Sequence, residues 1–198
     1  MVYKTSEFHN WPNKLFLAGI LVVSNISISF ADEIADAISE AQKSYQSGDL
    51  VATKQALDTA SQLISQRNAE GLAKALPKAL QGWTADDADS RAIGLMALGG
   101  SMASRQYRKG ETNDVIVSIT ADNAMLTQQL AVFANSQMAG LMGKLIKINS
   151  EKAIQTKEGD ITMVIANRFV ITVNGNASAD DKIAYAKAID INTLIKMN

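Results

Sequence analysis

The chain has 198 residues, of which 47% are hydrophobic and 20% are charged, and it contains no cysteine. This composition is typical of a globular protein and excludes a disordered, collagen-like or polytopic membrane chain. The formal net charge of −1 argues against a nucleic-acid-binding protein, which needs an excess or a stripe of basic side chains.

The first 31 residues have the pattern of a secretory signal peptide. Lys14 precedes an apolar run at residues 15–23, and Ser29 and Ala31 occupy the small-residue positions of a signal-peptidase site. The run is too short for a membrane-spanning helix, which needs about 20 residues. We expect cleavage after Ala31, a periplasmic or secreted location, and no stable membrane insertion after processing. The alternative is an uncleaved N-terminal anchor.

Cleavage would limit the chemistry of the chain. Residues 1–31 include the only histidine, His9, so the remainder has neither histidine nor cysteine and carries two more acidic than basic side chains. Ser–His–Asp and Cys–His nucleophile systems, and metal sites built on thiolate or imidazole, need residues that such a chain lacks. We therefore expect no cofactor and no metal ion.

Residues 32–79 have the apolar spacing of a helical hairpin. The apolar positions of the first helix are Ile34, Ile38, Ala41 and Tyr45. A Ser-Gly-Asp sequence at residues 47–49 predicts a turn that ends this helix and begins a second one. We expect the second helix to be interrupted at residues 68–71 and followed by a short helix that ends at Pro77.

The segment AQKSYQSGDLVATKQALDTA, residues 41–60, resembles one tetratricopeptide-type helical hairpin. The matching positions are Tyr45, Gly48, Asp49, Ala52, Leu57 and Ala60. Stacked helical repeats need about three copies to bury a continuous core, and the unit occurs once. The resemblance therefore implies a single hairpin, packed on or tethered beside another domain, rather than a peptide-binding solenoid.

Residues 80–198 have the pattern of an α+β domain. Strands are predicted at residues 102–109, 114–120, 144–148, 151–157, 160–166 and 168–173. Asp122 is expected to cap a helix that ends near Gly140, Ser178 is expected to cap another, and a last amphipathic helix follows Asp190. This order predicts an antiparallel sheet of about 5–6 strands that is covered by helices.

The element order that follows Gly82 and Trp83 resembles the PsbP-like fold over about residues 80–190. The chain is also similar to uncharacterised exported bacterial proteins that share a GW pair, a GG-rich strand and the segments SRQYxKG and ANRFxxTV. Families with the PsbP-like fold include adaptor and assembly-factor proteins. The resemblance therefore implies a binding or assembly role.

Two sets of carboxylates suggest chemistry without providing a complete site. Asp86, Asp87 and Asp89 are hard oxygen ligands that suit calcium, but the central glycine and distal glutamate of a calcium loop are missing. We expect a solvated turn and a helix cap there. Asp114 and Asp122 flank a predicted strand and could form a hydrolytic pair if one of them lay in an apolar niche. Both lie where aspartate is also expected in a turn or cap.

A glycine-rich stretch and a methionine pair offer two further ligand hypotheses. Residues 94–101, GLMALGGS, match the phosphate-binding pattern GxxxxGK[ST] except that Gly100 occupies the lysine position, where the phosphate contact would be made. The glycines are expected to let the chain bend as it enters the sheet. Met138 and Met142 could bind Cu(I), but we expect these flexible side chains to fill the core.

A basic strand provides the candidate binding surface. The candidate residues are Arg105, Tyr107, Arg108, Lys109 and Arg168. Because alternate residues of a strand point to opposite faces, Arg105, Tyr107 and Lys109 share one face, and Arg168 in a later hairpin is expected to approach it. This surface would bind an anionic ligand or an acidic partner. The alternative is a solvated strand face.

These patterns favour an exported, non-enzymatic binding or assembly protein whose partner is an unknown protein or a small anionic ligand. One alternative is a carboxylate-dependent hydrolase. Another is a structural or self-associating envelope protein in which the helices of residues 32–79 make the contact.

Overall fold

The structure, a computed structural model, describes residues 30–94, 99–124 and 126–197. The apolar run at residues 15–23, on which the signal-peptide prediction rests, lies outside the described residues. The described part consists of an N-terminal helical hairpin followed by an antiparallel sheet that is covered by helices. This architecture confirms the predicted α+β class.

The hairpin consists of α1 (Phe30–Gln46) and α2 (Leu50–Ala75). The Asp49 carboxylate caps α2 by accepting a hydrogen bond of 2.9 Å from the backbone N–H of Ala52. Ala41 and Ala60 are buried between the two helices, where their small side chains permit a short interaxial distance. The turn predicted at residues 47–49 is confirmed.

The predicted interruption of α2 at residues 68–71 is wrong, and so is the separate short helix after it. Gly71 lies inside the helix against the side chain of Met197, and Ala69 and Leu72 on either side of it are fully buried. Burial of such side chains outweighs the cost of a glycine inside a helix, about 1 kcal/mol relative to alanine. The helix ends at Ala75, just before Pro77, as predicted.

The sheet contains eight strands within the described residues, rather than five or six, and every pairing is antiparallel. In chain order the strands are β1 (Thr84–Ala85), β2 (Asp89–Ala92), β3 (Ser101–Lys109), β4 (Asn113–Ala121), β5 (Lys144–Ile148), β6 (Glu151–Gln155), β7 (Ile161–Ile165) and β8 (Phe169–Asn174). Across the sheet they follow the order β1–β3–β4–β8–β7–β6–β5, and β2 also pairs with β3.

The two strands that the sequence did not predict, β1 and β2, form one interrupted edge. They pair with opposite ends of β3, where Thr84 faces Arg108 and Ala92 faces Ser101. The helix cap predicted near Asp89 is therefore wrong, because Asp89 begins β2. Strands of two and four residues are too short to show a readable alternation.

The inner face of the sheet carries the main core. Alternate residues of the central strands are buried, as the two-residue period of a strand requires; on β4 they are Val115, Val117, Ile119 and Ala121. They pack against the C-terminal half of α2, α5 (Ala179–Ala188) and α6 (Ile191–Lys196). The hairpin is therefore packed on the α+β domain through α2. Ser178 and Asp190 cap α5 and α6, as predicted.

The outer face is covered in part by α3 (Leu126–Ala134) and α4 (Ser136–Met142). The prediction of one helix capped by Asp122 is wrong in two respects. Asp122 has a φ of 55°, which is left-handed rather than the conformation of an N-cap. Asn135 divides the helix and caps α4 through its side-chain oxygen. In the described ranges, every helix is too short or too polar to cross a bilayer.

Candidate functional site

Arg105 and Tyr107, on the inner face of β3, contact the chain segment that follows α2. The buried Tyr107 hydroxyl donates a hydrogen bond of 2.7 Å to the carbonyl oxygen of Pro77, and Arg105 Nη1 donates one of 3.2 Å to the same oxygen. Burial raises the pKa of the Tyr107 hydroxyl well above its ordinary value. Both side chains therefore attach the sheet to the end of α2.

Arg108 and Lys109 lie near acidic side chains from other parts of the chain. Arg108 Nη1 lies 2.5 Å from Asp86 Oδ1. Lys109 Nζ lies 4.0 Å from Asp181 Oδ1 and 5.7 Å from the centre of the Trp83 ring. These contacts are exposed, so each is worth little stability, but they offset the positive charge that the sequence alone suggests.

Arg168 lies at the other end of the sheet. Its Nε and Nη2 atoms donate hydrogen bonds of 2.9 and 2.8 Å to the two carboxylate oxygens of Asp122, and its Nη1 donates to the carbonyl oxygen of Met197. The hydrogen bonds to Asp122 raise the pKa of the Arg168 guanidinium. The next residue, Phe169, is in register with Ala121, which pairs with Ser101 at the start of β3. The structure therefore does not bring Arg168 to Lys109, which ends β3.

The candidate cations thus occupy two separate places and make contacts within the chain. Arg105 is the member of the set without an ion pair to a described carboxylate, and its buried Nε has no hydrogen-bond partner among the described residues. The arrangement can hold β3 against its neighbours. Binding of an anion by these five residues stays a prediction.

The carboxylates of the hydrolase hypothesis do not meet. Asp114 lies near the start of β4, where its carboxylate accepts hydrogen bonds from Gln106 and from the backbone N–H of Asn176. Asp122 follows the end of the same strand and binds Arg168. Within the described ranges, no group of three or more acidic or histidine side chains could hold a metal ion.

A cleft of about 720 Å³ separates α2 from the turn at Gly99 and Gly100. Gly100 has a φ of 98°, and a Cβ on it would lie 2.3 Å from the Ala121 carbonyl oxygen, so this glycine permits a close approach of two strands. Asp58 and Asp122 line the cleft and are paired with Lys54 and Arg168, and the described lining includes no basic side chain that could bind a phosphate. Residues 95–98 of the glycine-rich stretch lie outside the described residues.

An exposed apolar surface lies on the hairpin, the segment to which the self-association alternative assigns the contact. We call it the hairpin face, and its members are Ile38, Tyr45, Leu50, Leu57 and Ile64, which are between 44% and 68% exposed. The sequence placed Ile38 and Tyr45 on the apolar face of the first helix, and Leu57 and Ile64 on that of the second. A signal was present, since residues 38 and 45, and residues 50, 57 and 64, are spaced by seven, the repeat of helices that pair with other helices.

A second exposed apolar cluster lies where α4 meets β5. Its members are Met138, Leu141, Met142 and Leu145. The expectation that Met138 and Met142 fill the core is wrong, because α4 is short and buries only Ala139 against the sheet. The two methionines are instead about half exposed.

Comparisons of the chain with protein-family models, with curated proteins and with solved structures found no match. The resemblances to the PsbP-like fold and to a tetratricopeptide hairpin therefore stay predictions.

Proposed function

We propose that the protein is an exported, non-enzymatic binding and assembly protein that pairs with a second copy of itself through the hairpin face. The observation that carries the proposal is the row of five large, half-exposed apolar side chains on α1 and α2. Contiguous apolar surface of this kind, away from the core, is typical of a contact with another protein.

The two helices present their exposed apolar residues on the same side of the hairpin. On each helix the stripe lies about a sixth of a turn, in the same rotational sense, from the alanine buried between the helices, Ala41 on α1 and Ala60 on α2. In an antiparallel pair, equal rotations of this kind bring both stripes to one side. The hairpin face is therefore continuous across α1 and α2.

The charges around the face also suit helix pairing. The charged residues of α1, which include Asp36, Glu40 and Lys43, fall on the opposite side of that helix. On α2, Lys54 and Asp58 beside the stripe lie 2.5 Å apart and neutralise each other. Two copies could therefore approach face to face without opposing like charges.

The exposed area is consistent with a pair of copies. With about half of each side chain open to solvent, the face presents on the order of 500 Å² of apolar area per copy, so pairing would bury about 1,000 Å², where specific interfaces begin. Four antiparallel helices packed through apolar stripes form a bundle. We therefore infer a dimer held by a four-helix bundle.

Cysteine cross-linking tests the proposal because the natural chain has no cysteine. Ile38 and Leu57 lie at similar heights on the two antiparallel helices, so a twofold axis places Leu57 against either Leu57 or Ile38 of the other copy. We expect Leu57→Cys alone, or mixed with Ile38→Cys, to form a covalent dimer under mild oxidation.

The matched control is Val51→Cys, because Val51 is 71% exposed but lies about 100° around the helix from Leu50. Equal cross-linking at Val51 and Leu57 would contradict the proposal. The protein should be produced from its complete coding sequence and recovered after export. Its intact mass then tests cleavage after Ala31 separately from the pairing.

A further inference from the structure

The edge of the sheet that is formed by β5, at the far side from β1, combines exposed apolar and basic side chains. We call this region the β5–β6 tip; its apolar members are Met138, Leu141, Met142 and Leu145, and its basic members are Lys144, Lys147, Lys152 and Lys157. Leu141 is 87% exposed and projects from α4 on the side opposite the buried Ala139. The tip is separate in the fold from the hairpin face.

The charge of the chain is unevenly distributed. Residues 123–157 contain four lysines and a single acidic residue, Glu151, although the whole chain has a net charge of −1. The four lysines are exposed, and none of them lies within 4.0 Å of a carboxylate of a described residue. The tip is therefore a basic end on a molecule that is otherwise acidic.

Two of these lysines face each other. Lys147 and Lys152 are directly opposite in the β5–β6 ladder, on the outer face of the sheet. Like charges in this position destabilise a sheet, and the described fold supplies no acid between them. An anionic surface outside the molecule would remove the repulsion.

A cleft of about 690 Å³ brings part of the apolar group and part of the basic group together. Leu141 and Met142 line it with Lys144 and Lys157, and Glu158 is the acidic residue on its rim. A phosphate could contact the ammonium groups of the lysines here while the apolar side chains enter a less polar layer beside it.

We propose that the β5–β6 tip docks the protein on the surface of a bilayer that contains anionic phospholipids. Exposed apolar side chains beside exposed lysines match the membrane interface. There, the apolar side chains enter the boundary of the acyl chains and the lysines contact headgroup phosphates. Lysine stems can lie along the apolar layer while their ammonium groups reach the phosphates. A fluid surface can close around a projecting side chain such as Leu141.

Co-sedimentation of the full, processed protein with vesicles tests this proposal. We expect binding to phosphatidylcholine vesicles with about 30% phosphatidylglycerol, little binding to phosphatidylcholine alone, and release at high salt. Lys147→Gln with Lys152→Gln should lower the partition coefficient at least tenfold, since each lysine near an anionic surface is worth about a factor of five. Leu141→Ser should lower it by about tenfold.

The control variants make the same changes of charge and polarity at sites outside the β5–β6 tip. Lys74→Gln with Lys78→Gln removes two exposed lysines at the end of α2, and Ile195→Ser removes an exposed apolar side chain from α6. Removing the Lys147–Lys152 repulsion should not unfold the sheet, so circular dichroism should show an unchanged fold. Equal binding to neutral vesicles, no binding to either kind, or equal losses in the control variants would overturn the proposal.

Discussion

Lys182, on α5, is a charged residue whose side chain is buried. Its side chain is 2% exposed, and its ammonium group donates hydrogen bonds of 2.6 Å to Asp160 Oδ1 and 2.9 Å to the carbonyl oxygen of Glu158. Asp160 is 40% exposed, so water can hydrate the carboxylate but hardly the ammonium group. The stability of this contact therefore depends on the lysine keeping both oxygens.

We expect Asp160→Ala to lower the free energy of unfolding by about 2 kcal/mol, because it leaves a buried charge without its partner. Lys182→Met should cost less than about 1 kcal/mol, because it removes the charge and keeps a long side chain in the same space. Urea unfolding of both variants measures the difference. Equal losses, or a larger loss for Lys182→Met, would contradict this expectation. They would show that the ion pair itself stabilises the contact of α5 with residues 158–160.

The candidate binding residues show why a site is hard to predict one residue at a time. The sequence identified the cations of β3, because basic side chains in an alternating strand are locally visible. It did not reveal that Asp86, Asp181 and the Pro77 carbonyl oxygen lie beside them. Those partners come from distant parts of the chain and are placed by the fold.

At the scale of elements, local signals predicted the ends of helices and the longer strands. Ser178 and Asp190 cap helices because a short polar side chain satisfies free N–H groups, and β4 alternates over nine residues. The continuous α2 and the short β1 were not predictable in this way. Burial of Ala69 and Leu72 and pairing with β3 determine them, and both depend on residues distant in sequence.

The two glycines at the ends of β3 give a prediction, because the cost of adding a side chain should differ between them. Gly100 and Gly110 lie at the two ends of the strand with φ values of 98° and 67°, but only Gly100 is crowded, by the Ala121 carbonyl oxygen. Gly110→Ala should cost about 1–2 kcal/mol for the left-handed backbone alone. Gly100→Ala should cost clearly more, because the added methyl group also forces β3 away from β4.

Thermal unfolding of the two alanine variants measures this difference under identical conditions. A lower midpoint for Gly100→Ala than for Gly110→Ala is expected. Equal midpoints would mean that the chain around Gly100 moves aside at little cost, and the close approach of the strands would not be a structural requirement.

At the scale of the whole molecule, the main core and the two exposed apolar surfaces are spatially distinct. The inner face of the sheet buries the core against α2, α5 and α6, whereas the hairpin face and the β5–β6 tip remain uncovered within the described residues. The sequence predicted the α+β class and the hairpin, because both depend on hydrophobic period. It could not predict which apolar residues stay exposed, since that depends on how far each helix lies over the sheet.

The measurement that tests the central claim most directly is sedimentation equilibrium of the processed protein and two variants. We expect the natural chain to have a mass that rises with concentration toward that of a dimer. Leu57→Asp should remain a monomer, because an aspartate in the middle of the hairpin face would be buried without a partner. Val51→Asp should behave like the natural chain. A natural chain that stays monomeric at high concentration, or the same mass for all three proteins, would contradict self-pairing through the hairpin face.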